Sequence, residues 1–280
     1  MKTLSIVIPL YNEDGRISAT LNILEKGFKY DGLKLEKLIF VDDGSTDNTV
    51  AKILQHKKML AKFSDNTVAK ILQHKKMLAK ALKCPVKLIT YQPNKGRGHA
   101  IRFATFICKS DYVLYLDADM SIPLTNLNRI GKSLDMNYDL MFGSKKKPGA
   151  RAVIPRSFTR NIVGFGHSAV ASLFLGVFAW DYQGGFKIFS RRLILEVFPQ
   201  LTVDRWGFDM EIIFLAKKLG FKTLEVPVMW SHKEQGSKVK LMRDIFRSLR
   251  EMILIRMNWI NNNYTVSAVT KSPSVSYSIL

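Results

Sequence analysis

The chain has 280 residues, 47% of them hydrophobic, and a formal net charge of +20. That is ample for a packed core, in one large α/β domain or two small ones. Its two cysteines, Cys84 and Cys108, exclude a disulfide framework and a cysteine-ligated metal site, and they suit a reducing, cytosolic setting. The charge asks for a polyanion, whether nucleic acid, anionic lipid or a phosphorylated small molecule, without choosing among them.

In chain order, Leu4–Pro9 reads as a short buried strand that turns polar by Asn12, too early for a secretory signal. A helical pattern over Ile17–Phe28 follows, then a second strand, Leu38–Asp43. Strands at Val86–Tyr91 and Tyr112–Asp117 flank a helical pattern over Gly98–Cys108. Strands alternating with helices predict a mostly parallel α/β sheet with helices on both faces. Ligands in such sheets sit beyond the carboxyl ends of the strands. Three of these ends are polar: PLYNE, DDGS and DAD.

The segment DNTVAKILQHKKMLAK occurs at Asp47–Lys62 and again, unchanged, at Asp65–Lys80. The period of 18 residues is about five helical turns, so an apolar face would stay in register. We read the 47–80 region as a tandem duplication rather than a selected functional element.

Asn161–Trp180 is a long apolar stretch that approaches the ~20 residues needed to cross a bilayer. It also contains His167 and three glycines. Three readings stand: a spanning helix, a helix lying in the membrane interface, or a buried helix. Flanking Arg151, Arg156 and Arg160 favour the interface. Residues 236–260 form a basic amphipathic segment, either a surface helix or one resting on anionic lipid. Asn261–Leu280 is polar and aperiodic, so a disordered tail is expected.

The pair Asp117 and Asp119 ends a strand that should be buried. Two adjacent carboxylates repel unless a cation lies between them. Mg²⁺ or Mn²⁺ suits them, because a hard cation takes few carboxylates plus phosphate oxygens. Asp42 and Asp43 end their strand in the same manner, ahead of Gly44. Helix capping explains Ser45, Thr46 and Asp47 but not two acids before a glycine. The loop PNKGRGHA has the glycines and basic residues to approach phosphates, or is a plain turn.

Taken together, IVIPLYNED, VDDGSTDNT, NKGRGHA and YLDADMS resemble the family-2 glycosyltransferases in order and spacing. MFGSKKK, DYQGGFKIFS, DRWGFDMEI and EVPVMW resemble one branch, the dolichyl-phosphate β-glucosyltransferases and their prokaryotic polyprenyl-phosphate relatives. The resemblance implies a GT-A fold over residues 1–235, with a nucleotide-sugar site at the strand ends. It places Pro9, Tyr11, Glu13, Asp42, Asp43, Lys95, Arg97, Asp117 and Gln183 at the nucleotide sugar, with Asp43 reading the uracil ring. Asp117 and Asp119 match the metal-binding D-x-D motif, Asp119 as the direct ligand. Asp209 would orient the acceptor pocket, or act as a base if the acceptor were a sugar hydroxyl. Gln183, Arg205, Trp206 and Asp209 match positions lining the sugar and acceptor pocket.

The implied reaction is inverting transfer of a hexose, glucose from UDP-glucose, to dolichyl or polyprenyl phosphate at the cytoplasmic face of a membrane. Lys145, Arg151, Arg156, Arg160 and Arg205 would hold the acceptor phosphate. Lys145 departs from the family's usual arginine, exchanging a planar fork for a point charge, with Lys146 and Lys147 restoring local charge. A saccharide acceptor, or GDP-mannose as donor, is the enzymatic alternative. A nucleic-acid-binding module would use the charge but leaves the acidic strand ends unexplained, so no nucleic-acid partner is expected.

Overall fold

Strand β1, Lys2–Leu10, contains Ile6, Val7 and Ile8, all wholly buried. An unbroken apolar run of this kind is what a strand covered on both faces requires. Each such side chain contributes roughly 1.5–3 kcal/mol of burial. This computed structural model describes residues 1–26, 32–50, 82–155, 157–232, 241–264 and 278–279. Most of the duplication, together with Arg156, residues 236–240 of the basic segment and 265–277 of the tail, lies outside them.

The chain divides into two compact units, Met1–Met120 with Ser274–Leu280, and Ser121–Pro273. In unit 1, β1 pairs in parallel with β2 (Leu33–Asp42) on one side. On the other it pairs with a strand at Tyr112–Leu116. Val86–Thr90 is β3, parallel to β2, and the strand at Tyr112–Leu116 is β4. The order β3-β2-β1-β4 meets the α/β expectation. Helix α1, Ile17–Glu25, buries Ile17, Thr20, Leu21 and Leu24, one stripe at helical spacing. Helix α2, Arg97–Ile107, follows β3.

In unit 2, the chain first forms α3 (Leu127–Leu134) and β5 (Leu140–Ser144). An exposed strand β6 (Arg151–Ile154) precedes the long helix α4 (Phe158–Leu175). Then come β7 (Phe186–Ser190), α5 (Arg191–Val197), α6 (Phe208–Lys218), β8 (Thr223–Pro227), β9 (Met229–Ser231) and α7 (Leu241–Ile260). Strand β5 pairs in parallel with β8 and antiparallel with β7, while β6 and β9 form a separate parallel ribbon. Helix α6 is the centre of this unit, with every residue from Phe208 to Ala216 buried. Asp209 and Glu211 lie in its first turn and Lys217 and Lys218 in its last, matching the helix dipole.

Two sequence expectations change here. Helix α4 stops at Leu175, because Gly176 takes a left-handed C-cap at φ 65°. The apolar stretch to Trp180 is therefore not one helix, and no described helix is long and apolar enough to cross a membrane. The tail is not wholly without structure either, since Ser278–Ile279 forms β10, antiparallel to β3 in unit 1.

Candidate active site

In unit 1 the carboxyl ends of β1 and β2 are stitched together. Asn12, in the left-handed region at φ 50°, accepts from Thr46 N at 2.8 Å through its side-chain oxygen. Its own backbone N–H donates to Ser45 Oγ at 2.9 Å. Glu13 N donates to Thr49 Oγ1 at 2.5 Å, and Glu13 holds Arg16 at 2.6 Å. Pro9 is buried within β1, whereas Tyr11 is 38% exposed at its end.

The two acids after β2 do different things. Asp43 is buried, and its carboxylate accepts from Tyr91 O–H at 2.8 Å and Asn94 Nδ2 at 2.7 Å. It also accepts from Lys95 N and Gly96 N, each at 2.8 Å. Four donors occupy both oxygens, so Asp43 faces its own protein rather than open space. Gly44 permits this approach: a Cβ there would lie 2.9 Å from Asn94 N, and its φ is +71°. Asp42 accepts long bonds of 3.3 Å from Ser45 N. Burial pushes its carboxyl up, hydrogen bonds from Ser45 oppose this, and the charges of Asp43 and Asp47 add to the rise.

The loop that Asp43 holds delivers Lys95 and Arg97. Arg97 opens α2 and lies 3.4 Å from Asp117, with its guanidinium 5.7 Å from the Tyr115 ring centroid. Asp117 also accepts from Tyr115 O–H. The chain turns directly after β4, where Met120 N donates to Asp117 O at 3.0 Å and Met120 sits at φ 47°. Thr20 of α1 bonds the Ala118 carbonyl and so pins the turn between the two acids. Asp117 and Asp119 are both half-buried. No group of three or more His, Cys, Asp or Glu suited to a metal occurs among the described residues. Two carboxylates on a fixed turn fit a hard cation that takes its other ligands from phosphate and water, not a closed protein cage.

In unit 2, Lys145 follows β5, with Nζ 3.0 Å from Ser121 Oγ and 5.7 Å from the Trp230 ring centroid. Arg151 is exposed on β6, and Arg160 is exposed on α4, donating to His232 Nε2 at 3.3 Å. Gln183 is exposed, as are Arg205 and Trp206 on the loop before α6. Lys146 and Lys147 do not supply free charge. Lys146 Nζ donates to Gly164 O and Ser168 Oγ, both at 2.7 Å, and Lys147 Nζ donates to Glu225 O at 2.6 Å. Asp209 is wholly buried against Lys187 Nζ at 2.7 Å, away from solvent.

Sequence reasoning missed Asp181. It accepts from Lys145 N at 3.0 Å and Gln183 N at 3.2 Å, with Lys146 Nζ 3.5 Å away. Burial acts to raise its pKa, but the Lys146 charge and the Lys145 amide outweigh it and hold the carboxyl below the ordinary value. The signal was the acid opening DYQGG, a motif already singled out. His232 was also missed, since a lone histidine after a short strand carries no pattern.

The family model for glycosyl transferase family 2 matches residues 5–198. The chain belongs to that family. This glycosyltransferase is 31% identical over 273 residues to the dolichyl-phosphate β-glucosyltransferase of Saccharomyces cerevisiae, covering 93% of the chain and 76% of the yeast protein. It is 26% identical to the human protein of the same name, covering 96% and 80%. Among solved structures it is similar to a mannosyltransferase of Pyrobaculum calidifontis in complex with GDP-Man and Mn²⁺. There the TM-score is 0.56 at 18% identity, over 92% of this chain and 64% of the other. Glucosyl-3-phosphoglycerate synthase of Mycobacterium tuberculosis, in complex with Mn²⁺, UDP and glucosyl-3-phosphoglycerate, gives 0.57 at 18% identity, over 92% and 79%. These likenesses support the GT-A fold expected from the sequence.

Proposed function

We propose that this glycosyltransferase moves glucose from UDP-glucose to a dolichyl or polyprenyl phosphate, with inversion at the anomeric carbon. The observation that supports this most is similarity to dolichyl-phosphate β-glucosyltransferases over 93% of the chain. The chemistry of the site residues agrees with it.

On the donor side, Pro9, Tyr11, Glu13 and Asp42 meet the nucleotide. Asp43, the acid expected to read the base, also holds Lys95 and Gly96, and Asp42 lies beside it, equally buried. Arg97 and the N-terminus of α2 face the diphosphate, where backbone N–H groups favour an anion. Asp117 and Asp119 would hold Mg²⁺ or Mn²⁺, with Asp119 as the direct ligand. Held there, the metal would supply positive charge against the charge that builds on the departing diphosphate. Arg97 steadies Asp117 at 3.4 Å.

On the acceptor side, Lys145, Arg151, Arg160 and Arg205 would hold the phosphate, and Gln183 would meet the sugar. A phosphate monoester has its second pKa near ~6, so it is a dianion at neutral pH and needs no strong base. Asp209, sealed against Lys187, is then a brace for α6 and not a proton acceptor.

Helices α4 and α7 place the enzyme on an anionic membrane surface. Each carries a second apolar face beside the one packed on the protein. On α4, Phe158, Ile162 and Leu173 are 78%, 56% and 87% exposed. On α7, Phe246, Ile253 and Ile260 are 66%, 51% and 59% exposed. Burying even three such side chains supplies roughly 5 kcal/mol. Arg160 on α4 and Arg247 and Arg250 on α7 suit anionic headgroups. The cytoplasmic face accords with the free cysteines Cys84 and Cys108.

The test is a donor screen at fixed short-chain polyprenyl phosphate with Mn²⁺. UDP-glucose should give a glucosylated lipid, and GDP-mannose should not. Transfer from GDP-mannose alone would overturn the donor assignment.

A further inference from the structure

Glu211, in the first turn of α6, has no part in the chemistry above, yet it is wholly buried. Its carboxylate accepts from Thr202 N at 2.9 and 3.0 Å, one distance to each oxygen. It also accepts from Thr202 Oγ1 at 2.6 Å and Val203 N at 2.9 Å. Another donor is Tyr264 O–H at 2.8 Å, from just beyond α7. One buried acid therefore holds both the loop that leads to Arg205 and Trp206 and the chain end of a helix with an open apolar face.

Three further contacts strengthen the same link. Asn258 of α7 donates to Thr202 Oγ1 at 3.0 Å. Trp259 of α7 packs edge-on against Phe214 of α6, with centroids 5.4 Å apart. Gly207, where the loop enters α6, leaves room for α7: a Cβ there would lie 2.8 Å from Glu251 Oε2 and 2.9 Å from Glu251 Cβ. No other residue type would allow that approach without a shift.

We propose that Glu211 and Tyr264 are positioning residues that couple α7 to the Thr202–Trp206 loop, so that seating α7 in a membrane orders the loop that receives the acceptor phosphate. This rests on the lipid-phosphate reading above. A ligand that meets an already ordered loop binds more tightly, because the ordering entropy is spent beforehand. Couplings of this kind typically change affinity about 5–150-fold.

The experiment compares the full chain with its Tyr264→Phe variant, which removes one hydroxyl and should fold. Asn258→Ala, which cuts the second link to Thr202, stands in if Tyr264→Phe does not. Hydrogen–deuterium exchange of residues 201–207 is measured with and without phosphatidylglycerol vesicles. Vesicles should slow exchange at Thr202 and Val203 in the native protein and do so far less in the variant. In the same preparations, KM for membrane-embedded polyprenyl phosphate should rise about tenfold in the variant, within the range typical of such couplings. KM for the nucleotide sugar and kcat should hold. Equal slowing in both proteins, or no slowing in the native one, overturns the coupling. Exchange needs no turnover, so a native protein that transfers nothing to lipid but still orders its loop would sink the acceptor reading alone.

Discussion

Lys187 Nζ lies 2.7 Å from Asp209 Oδ1, and neither side chain has any exposed surface. Lys187 also donates to Gly184 O at 2.8 Å and Tyr182 O at 3.2 Å. Breaking one side of such a pair leaves a stranded charge, which costs about 3–5 kcal/mol. Lys187→Met should therefore unfold at much lower urea. Lys187→Met combined with Asp209→Leu should recover a large part of that loss. A double variant as weak as the single one would show that the pair is not the unit of stability.

Asp119→Asn should cut Mn²⁺-dependent turnover by more than about 100-fold, since even residues that only orient a metal's ligands are worth about 10–100-fold. Half-buried on a turn already pinned by Thr20, the position should tolerate the change with an unaltered melting temperature. Steady-state rates across a Mn²⁺ titration check this. Turnover at the native level would remove the metal role from Asp119.

His167 bonds Ser248 at 2.7 Å, joining α4 to α7. Burial, with the Lys146 charge beside it, pushes its pKa down from 6.5 to about 4. A depressed pKa means that the folded state refuses a proton which the unfolded chain accepts. The stability from neutral His167 is thus complete above pH 6.5 and is lost as pH falls toward about 4. Urea midpoints at pH 7.5, 5.5 and 4.5 should fall in the native protein and fall less steeply in His167→Gln. Parallel slopes would contradict the assignment.

Leu173→Glu alters a side chain that is 87% exposed, so stability should move by no more than about 0.5 kcal/mol. Co-sedimentation with phosphatidylglycerol vesicles should drop severalfold, and nucleotide-sugar binding should not change. Unaltered sedimentation would mean that the outer face of α4 is not what meets lipid.

The sequence displayed what depends on local pattern. The apolar run Tyr112–Leu116 and its acidic stop were visible as a strand and a strand end, and both are found. What depends on loop geometry or distant partners was hidden. Nothing in the pattern showed that Gly44 at φ +71° lets the Asn94–Gly96 loop fold onto Asp43. Asp209 resembles a candidate base until Lys187, far away in sequence, is seen beside it. Lys146 and Lys147 count as surface charge in composition, yet both ammonium groups bond protein carbonyls. An amphipathic pattern marked residues 236–260, but it could not say which stripe is covered. On α7, Ser248, Met252 and Ile255 are buried while Phe246, Ile253 and Met257 are open.

The most direct test offers one preparation two acceptors, polyprenyl phosphate and an oligosaccharide, with radiolabelled UDP-glucose and Mn²⁺. Label should pass into the organic phase as an acid-labile glucosyl phosphate lipid, with free UDP released in equal amount. Label found only on the oligosaccharide would contradict the account.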